Sequence, residues 1–426
     1  MEIRMPFFSR VNTSPKTASV LFLLLLSHVA MGQRPKWIAT WTASPEAADA
    51  DPDDALLNLN DQTVRERVRV TLGGRQIRIR LSNECSSAPV LVGRVSVGTA
   101  RSPASVVSGS PRRVTFGKKD TILIPPGAPA LSDPVDLPVT DGSEIAISLY
   151  FPKRVTSVTG HSLALRRAVI SKHGDQTQDI AIEGGKESDG SVFLSEVLVP
   201  AEAKRRVIVA FGDSIVDGDK STPETDHNWP NDLFRRLQET HQGSHFAVVN
   251  AGIAGNRMLS NGPFTSLGVA GLARFDRDAI SVPGVAYIVV LEGINDISFP
   301  GAMLGNSPLA SEADAPTVEE ITGGYQQMIA RAHARGIRVI GCTIMPTEGV
   351  TIAGYHTELK EHLRQAVNHW IRTSKAFDEV IDFDAVMRDL DHPSRLLPRL
   401  ASEDHLHPND DGYQRMASAI DLSLFR

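Results

Sequence analysis

Five short, almost wholly apolar runs recur through the second half of the 426-residue chain, at 207–211, 246–250, 286–291, 337–344 and 380–383. A strand with no polar face must be covered on both sides, and parallel sheets give that burial. Helical patterns lie between the runs, the first from about 228 to 239. "TVEEITGGYQQMIARAHARG" has Thr317 as a cap, Glu320 three residues on, and Gly336 as a stop. "HTELKEHLRQAVNHWIRTSKAF" repeats apolar residues at helical spacing. Alternating strands and helices predict an α/β fold around a parallel, doubly wound sheet. In such a sheet the segments after each strand gather along one carboxyl edge, where ligands bind.

Those segments carry the chemistry. Gly212-Asp213 turns the chain after the first strand and presents Ser214, a helix cap or a nucleophile. "NAGIAGN" brings Gly255 and Asn256, "LEGINDI" brings Asn295 and Asp296, and "DHLHPNDDGY" brings Asp404 and His407. A serine hydroxyl needs a base to take its proton. A neutral imidazole can do so, from His407 or its near neighbour His405. Asp404, about one turn before His407, can fix the other ring N–H. The amides of Ser214 and Gly255 and the carboxamide of Asn295 are candidate donors to an oxyanion. Among the other polar residues there, Asp213 is expected as a turn or hydrogen-bond scaffold, Asp296 as a cap, Glu292 in a structural hydrogen bond, and Trp229 in packing.

Taken in order, "GDS", Gly255 in "AGN", Asn295 in "GIND" and "DHLHP" resemble the four blocks of the SGNH/GDSL hydrolase superfamily. The likeness runs from about Arg206 to the C-terminus. It implies a flavodoxin-like fold with five parallel strands, a Ser214–His407–Asp404 triad, ester hydrolysis, and no metal or other cofactor. It also selects His407 over His405. "WIATWTASP", the Arg-rich "RVRVTLGGRQIRIRLSN", "LEGINDI" and "VIDFDAVMRDLDHPSRLLP" resemble a secreted bacterial arylesterase/acylhydrolase subgroup that carries an N-terminal β-domain. That subgroup has a glycine where Glu403 precedes Asp404 here. A G-x-S-x-G elbow, the mark of an ordinary α/β-hydrolase, is absent.

Residues 37–150 have another texture. In "RVRVTLGGRQIRIRLSN" apolar residues alternate with arginines on either side of Gly73-Gly74, which predicts an antiparallel hairpin with one arginine-rich face. That face is expected to be solvated or to pack on a neighbouring domain. "EIAISLYFP" alternates likewise, and the whole predicts a β-sandwich. At the start, Arg4, Arg10 and Lys16 precede the apolar "ASVLFLLLL", and "SHVAMG" follows. This is a signal-peptide layout, too short to span a bilayer, with cleavage expected after Gly32. The expected organisation is therefore a signal peptide at 1–32, a β-sandwich at 33–200 and the hydrolase at 201–426, in a secreted or periplasmic protein. The net charge of −6 gives no reason to expect nucleic acid as a partner. Cys85 and Cys342, the only two cysteines, are expected as separate structural thiols.

The function expected from these residues is hydrolysis of short-chain acyl esters, acetyl among them, of carbohydrates or aryl alcohols, with a small molecule or a polysaccharide as substrate. The alternatives are an acyltransferase working through the same acyl-enzyme and a non-catalytic carbohydrate-binding protein. Oligomeric state is not legible in the sequence.

Overall fold

Each of the five apolar runs becomes a strand of one parallel sheet. The computed structural model describes residues 36–49, 54–202, 204–240 and 243–426. The strands are β1 (Arg206–Gly212), β2 (Phe246–Gly252), β3 (Val285–Leu291), β4 (Arg338–Cys342) and β5 (Glu379–Ile381). Their order is β2-β1-β3-β4-β5, all parallel, which is the flavodoxin-like winding. β1 is central, and Val207, Ile208, Val209, Ala210 and Phe211 are fully buried. Burying each large apolar side chain there stabilises the fold by roughly 1.5–3 kcal/mol, and the run 207–211 contains no polar residue.

Helix Trp229–Gln238 packs on β2 and on the last helix, Asp410–Ala419. Helix Val318–His333 packs on β4 and against Glu358–Thr373. The Thr317–Glu320 capping box closes in both directions, and Gly336 adopts φ +71° after the helix. Trp229 is fully buried, with its ring 5.8 Å from that of Phe383.

Before β1 the chain forms two main antiparallel sheets. One orders Trp37–Thr42, Leu194–Pro200, Gly74–Asn83 and Ala128–Leu131, with Val135–Val139 also paired to Gly74–Asn83. The other runs Lys186–Ser188, Ala168–Ile170, Gln62–Arg69, Glu144–Phe151, Val95–Ser102 and Ser105–Val106. The expected hairpin across Gly73-Gly74 is not there. Gln62–Arg69 pairs with Glu144–Phe151 and Ala168–Ile170, whereas Gly74–Asn83 pairs with Leu194–Pro200. The two glycines make a corner between sheets instead of a hairpin turn. A Cβ on Gly73 would lie 2.2 Å from the Val139 carbonyl oxygen, so only glycine lets the chain pass there.

Arg67 and Arg69 of the arginine face pack on the second half, whereas Arg78 and Arg80 bond within the first. Arg69 Nε donates to Asp226 at 2.6 Å, and Arg67 bonds Glu224. Arg166 joins Arg69 on Asp226 and Glu144. Arg65 is wholly buried, donating to Ser148 Oγ at 2.8 Å and to the Ala104 and Asp179 carbonyls. The Ala39 amide donates to the Pro283 carbonyl, and Thr42 Oγ1 to that of Asn250. Residues Trp37–Arg426 thereby form one compact unit. The last strand of these two antiparallel sheets ends at Pro200, and β1 begins at Arg206.

Cys85 and Cys342 are both free thiols. The expected signal peptide and its cleavage point lie outside the described residues. Among the described residues no helix is long and apolar enough to cross a membrane.

Candidate active site

β1 ends at Gly212, and the chain turns at once into a four-residue helix, α1 (Ser214–Asp217). The cap of α1 is Asp213, whose carboxylate accepts the Ile215 amide at 2.9 Å. Ser214 is thus not needed as a cap, and its hydroxyl is free for another partner. That partner is His407: Nε2 lies 2.8 Å from Ser214 Oγ. His407 Nδ1 lies 2.7 Å from Asp404 Oδ2. The other carboxylate oxygen of Asp404 accepts the amides of Leu406 and His407 and the Ser402 hydroxyl. Burial works against the Asp404 charge, but the hydrogen bonds and charge of His407 and these amides hold the carboxyl well below its ordinary range. Both Ser214 and His407 are under a tenth exposed. An ionised acceptor on Nδ1 requires Nδ1–H, which leaves Nε2 as the ring's acceptor toward the serine proton.

His405, two residues away, is exposed and adopts φ +58°, and Glu403 is exposed beside it. A carboxylate that the sequence reading did not single out, Asp219, comes within 3.6 Å of His407 Nε2.

The candidate donors follow the neighbouring strands. Gly255, after β2, has φ +70°, a left-handed turn that favours glycine. A Cβ there would meet the Leu267 side chain at 2.7 Å, so the turn and its packing account for the glycine. Among the described residues the amides of Ser214 and Gly255 have no protein acceptor. Asn295, after β3, is buried; its Nδ2 donates to the Asn256 carbonyl at 2.9 Å, and its Oδ1 accepts the Tyr355 hydroxyl at 2.9 Å. One Nδ2 hydrogen remains uncommitted. Tyr355 fixes which way the amide faces, since an O–H···O bond to Oδ1 would be lost if the amide turned over. Asn295→Ala should lower kcat by roughly 10²–10³-fold. Tyr355→Phe removes one hydrogen bond, worth ~0.5–1.5 kcal/mol, and should lower kcat by up to about tenfold. Steady-state kinetics on p-nitrophenyl acetate checks both; a Tyr355→Phe loss as large as that of Asn295→Ala would contradict the supporting position of the phenol.

Other polar residues along this edge have scaffold contacts. Asn256 donates to the Leu267 and Val269 carbonyls and accepts from Arg274 Nε, so its side chain holds the loop. Asp296 does not cap the turn that follows it. It accepts the Met258 and Leu259 amides at 2.7 and 2.8 Å and so ties the segment after β2 to that after β3. Among the described residues neither buried carboxylate oxygen of Glu292 has a hydrogen-bond partner of good geometry, and Arg274 Nη2 stands 3.7 Å away. Burial first, and the Asp213 charge next, push the Glu292 carboxyl well above its ordinary value.

Arg274 was invisible in the sequence, where it reads as one more charge in a helical segment. Its side chain is entirely buried and lies over Phe211 at 4.1 Å. It donates to the Gly212 carbonyl at 2.7 Å, the Ala251 carbonyl at 2.8 Å and Asn256 Oδ1 at 2.8 Å. It therefore staples the ends of β1 and β2 at the level of Ser214.

Comparison with known proteins addresses the same region. Residues 210–415 match the model of the GDSL-like lipase/acylhydrolase family. No curated protein is significantly similar to the chain. Among solved structures, a GDSL-like lipase from Bacteroides thetaiotaomicron is 19% identical, covering 53% of this chain and 90% of its own, with a TM-score of 0.36. A Geobacillus acetyl-xylooligosaccharide esterase variant is 18% identical over 50% of this chain and 91% of its own, at 0.38. An acetyl xylan esterase is 20% identical over 50% and 96%, at 0.35. Residues 210–415, just under half of the chain, are thus a GDSL-like lipase/acylhydrolase domain of the SGNH/GDSL hydrolase superfamily that the four sequence blocks resemble.

Proposed function

We propose that the protein is a serine carboxylic-ester hydrolase, acting outside the cytoplasm, that removes short acyl groups, acetyl foremost, from the alcohol oxygens of carbohydrates or aryl alcohols. The observation that carries the catalytic part is the unbroken path Ser214 Oγ–His407–Asp404, at 2.8 and 2.7 Å. The short acyl group, the alcohol and the location outside the cytoplasm rest on the likeness of the segments around Trp37, Asn295 and Asp382 to the secreted acylhydrolase subgroup, together with the leader-like start.

In this reading Ser214 Oγ attacks the ester carbonyl carbon while His407 Nε2 takes the hydroxyl proton. Asp404 stays ionised and stabilises the imidazolium. The carbonyl oxygen, now negative, meets the Ser214 and Gly255 amides and the uncommitted Nδ2–H of Asn295. The C–O bond to the alcohol breaks, and the alkoxide leaves with the proton from His407. Water then attacks the acyl-serine, giving its proton to His407, and the tetrahedral species collapses to release the acid and restore Ser214. Every group required lies on the carboxyl edge of one sheet, so no domain movement is needed to assemble it.

The test is a series of p-nitrophenyl esters of rising acyl length, followed by acetate release from acetylated oligosaccharides. Highest kcat/KM at two carbons, with free acetate formed in proportion to ester lost, is the expected result. A maximum at eight carbons or longer, or transfer of the acyl group to an added sugar in place of acetate release, would contradict it.

A further inference from the structure

Helix α1, which carries Ser214, is a single turn. So short a helix cannot hold itself, because nucleation fixes several residues for one hydrogen bond. Its geometry must come from what grips it. Asp213 caps one end, and at the other end stands Asp217, buried. Asp217 Oδ1 meets His161 Nε2 at 3.1 Å. His161 belongs to the strand Thr159–His161 of the N-terminal half, and its Nδ1 faces the Ser44 carbonyl oxygen at 3.1 Å. A carbonyl can only accept, so Nδ1 carries a hydrogen. Nε2 faces a carboxylate, and a ring with acceptors at both nitrogens is satisfied as the imidazolium.

The surroundings favour that charge. Burial opposes it, but the Asp217 carboxylate, and Glu46 after it, push His161 up to about 9. Glu46 is buried and faces the ring from the strand Glu46–Ala47. The adjoining cleft, of about 80 Å³, adds Arg69, Arg166 and Asp226. The second oxygen of Asp217 is buried with no hydrogen-bond partner among the described residues, so His161 makes the one side-chain bond this carboxylate has there. On the opposite side β2 presses directly on Asp217: a Cβ on Gly252 would lie 2.3 Å from the Asp217 amide nitrogen. α1 is thus clamped between the parallel sheet and a histidine from the other half of the chain.

We propose that His161 is a positioning residue for the nucleophile. As an imidazolium it grips Asp217, holds α1 so that the Ser214 hydroxyl meets His407, and makes the N-terminal half part of the working active site. Activity therefore falls when His161 loses its proton. This rests on Ser214 being the nucleophile.

The experiment is the kcat and KM of the full chain across pH 6–10.5 on p-nitrophenyl acetate, corrected for spontaneous hydrolysis. Wild type should lose kcat on the alkaline side near pH 9, with KM little changed. His161→Gln should lower kcat roughly ten- to a hundredfold, as a misplaced nucleophile does, and should lack the alkaline decline. Asp217→Asn keeps the side chain's size but removes the charge, and should move the decline to lower pH. A His161→Gln enzyme with wild-type kcat, or one with the same alkaline decline, would overturn the proposal. Should that variant fail to fold, an unmoved decline in Asp217→Asn, or a wild-type kcat flat to pH 10.5, would overturn it. Ser214→Ala, measured alongside, separates the two claims. Activity surviving in Ser214→Ala refutes the nucleophile itself. An inactive Ser214→Ala beside a fully active His161→Gln refutes only the clamp.

Discussion

Ser214→Ala and His407→Ala should each reduce kcat on p-nitrophenyl acetate by roughly 10⁴–10⁶-fold, and the double variant should be no slower than either single one. The reason is the sharing of one proton. The hydroxyl is a poor nucleophile without the imidazole, and the imidazole 2.8 Å away has nothing to deprotonate without the hydroxyl. Once either is gone, removing the other costs nothing further. Asp404→Asn should be severe as well, ~10⁴-fold, because an amide in place of the carboxylate would present a donor to Nδ1 and favour the wrong tautomer. KM should change little in all of them, since none of these groups is needed to hold the ground-state ester. Losses that multiply in the double variant would mean that Ser214 and His407 act in separate steps.

The second large effect falls on stability. Arg274→Met should lower the unfolding free energy by about 3–5 kcal/mol, read as a shift in the urea midpoint at unchanged slope. The guanidinium stands 3.7 Å from Glu292 and shares Asp278 with Arg277, and it donates to the Gly212 and Ala251 carbonyls at the ends of two strands. Removing it takes the donor from buried Asn256 Oδ1 and leaves the Gly212 carbonyl with the Ile253 amide alone among the described residues, and an unpaired buried acceptor costs more than the bond itself contributes. Glu292→Gln should cost far less. Burial already drives that carboxyl toward its neutral form, and the amide is close to it in shape. Equal midpoints for wild type and Arg274→Met would show that the arginine staple contributes nothing.

The parallel sheet was legible because its strands are buried on both faces, and a run such as 207–211 has no other soluble use. That Ser214 and the Asp404–His407 segment would meet was legible because the winding of such a sheet delivers the ends of β1, β2 and β3 and the segment before the last helix to one edge; the choice of His407 over His405 came from the family resemblance. What was not legible depends on partners far away in the chain. The alternation around Gly73-Gly74 marks two strands correctly but says nothing of which strands they join. Pairing was decided by Glu144–Phe151 and Leu194–Pro200, remote in sequence, and by a carbonyl of Val139 pressed against Gly73. Arg274 reads as a surface charge because its acceptors are main-chain carbonyls, which sequence does not distinguish. Asp296 sits where a cap would sit, yet the amides it takes belong to Met258 and Leu259, 38 and 37 residues earlier. Tyr355 and His161 likewise act on residues that no local pattern connects to them.

The central claim is that Ser214 becomes covalently acylated with His407 as its base, and the most direct measurement is covalent trapping. The enzyme is treated with a p-nitrophenyl phosphonate, residual activity is followed, and the modified peptide is located by mass spectrometry. One phosphonyl group per chain, on Ser214, appearing in step with the loss of activity and absent from His407→Ala, is the predicted result. Inactivation with the label on another residue, or full labelling of Ser214 with esterase activity intact, would contradict the account.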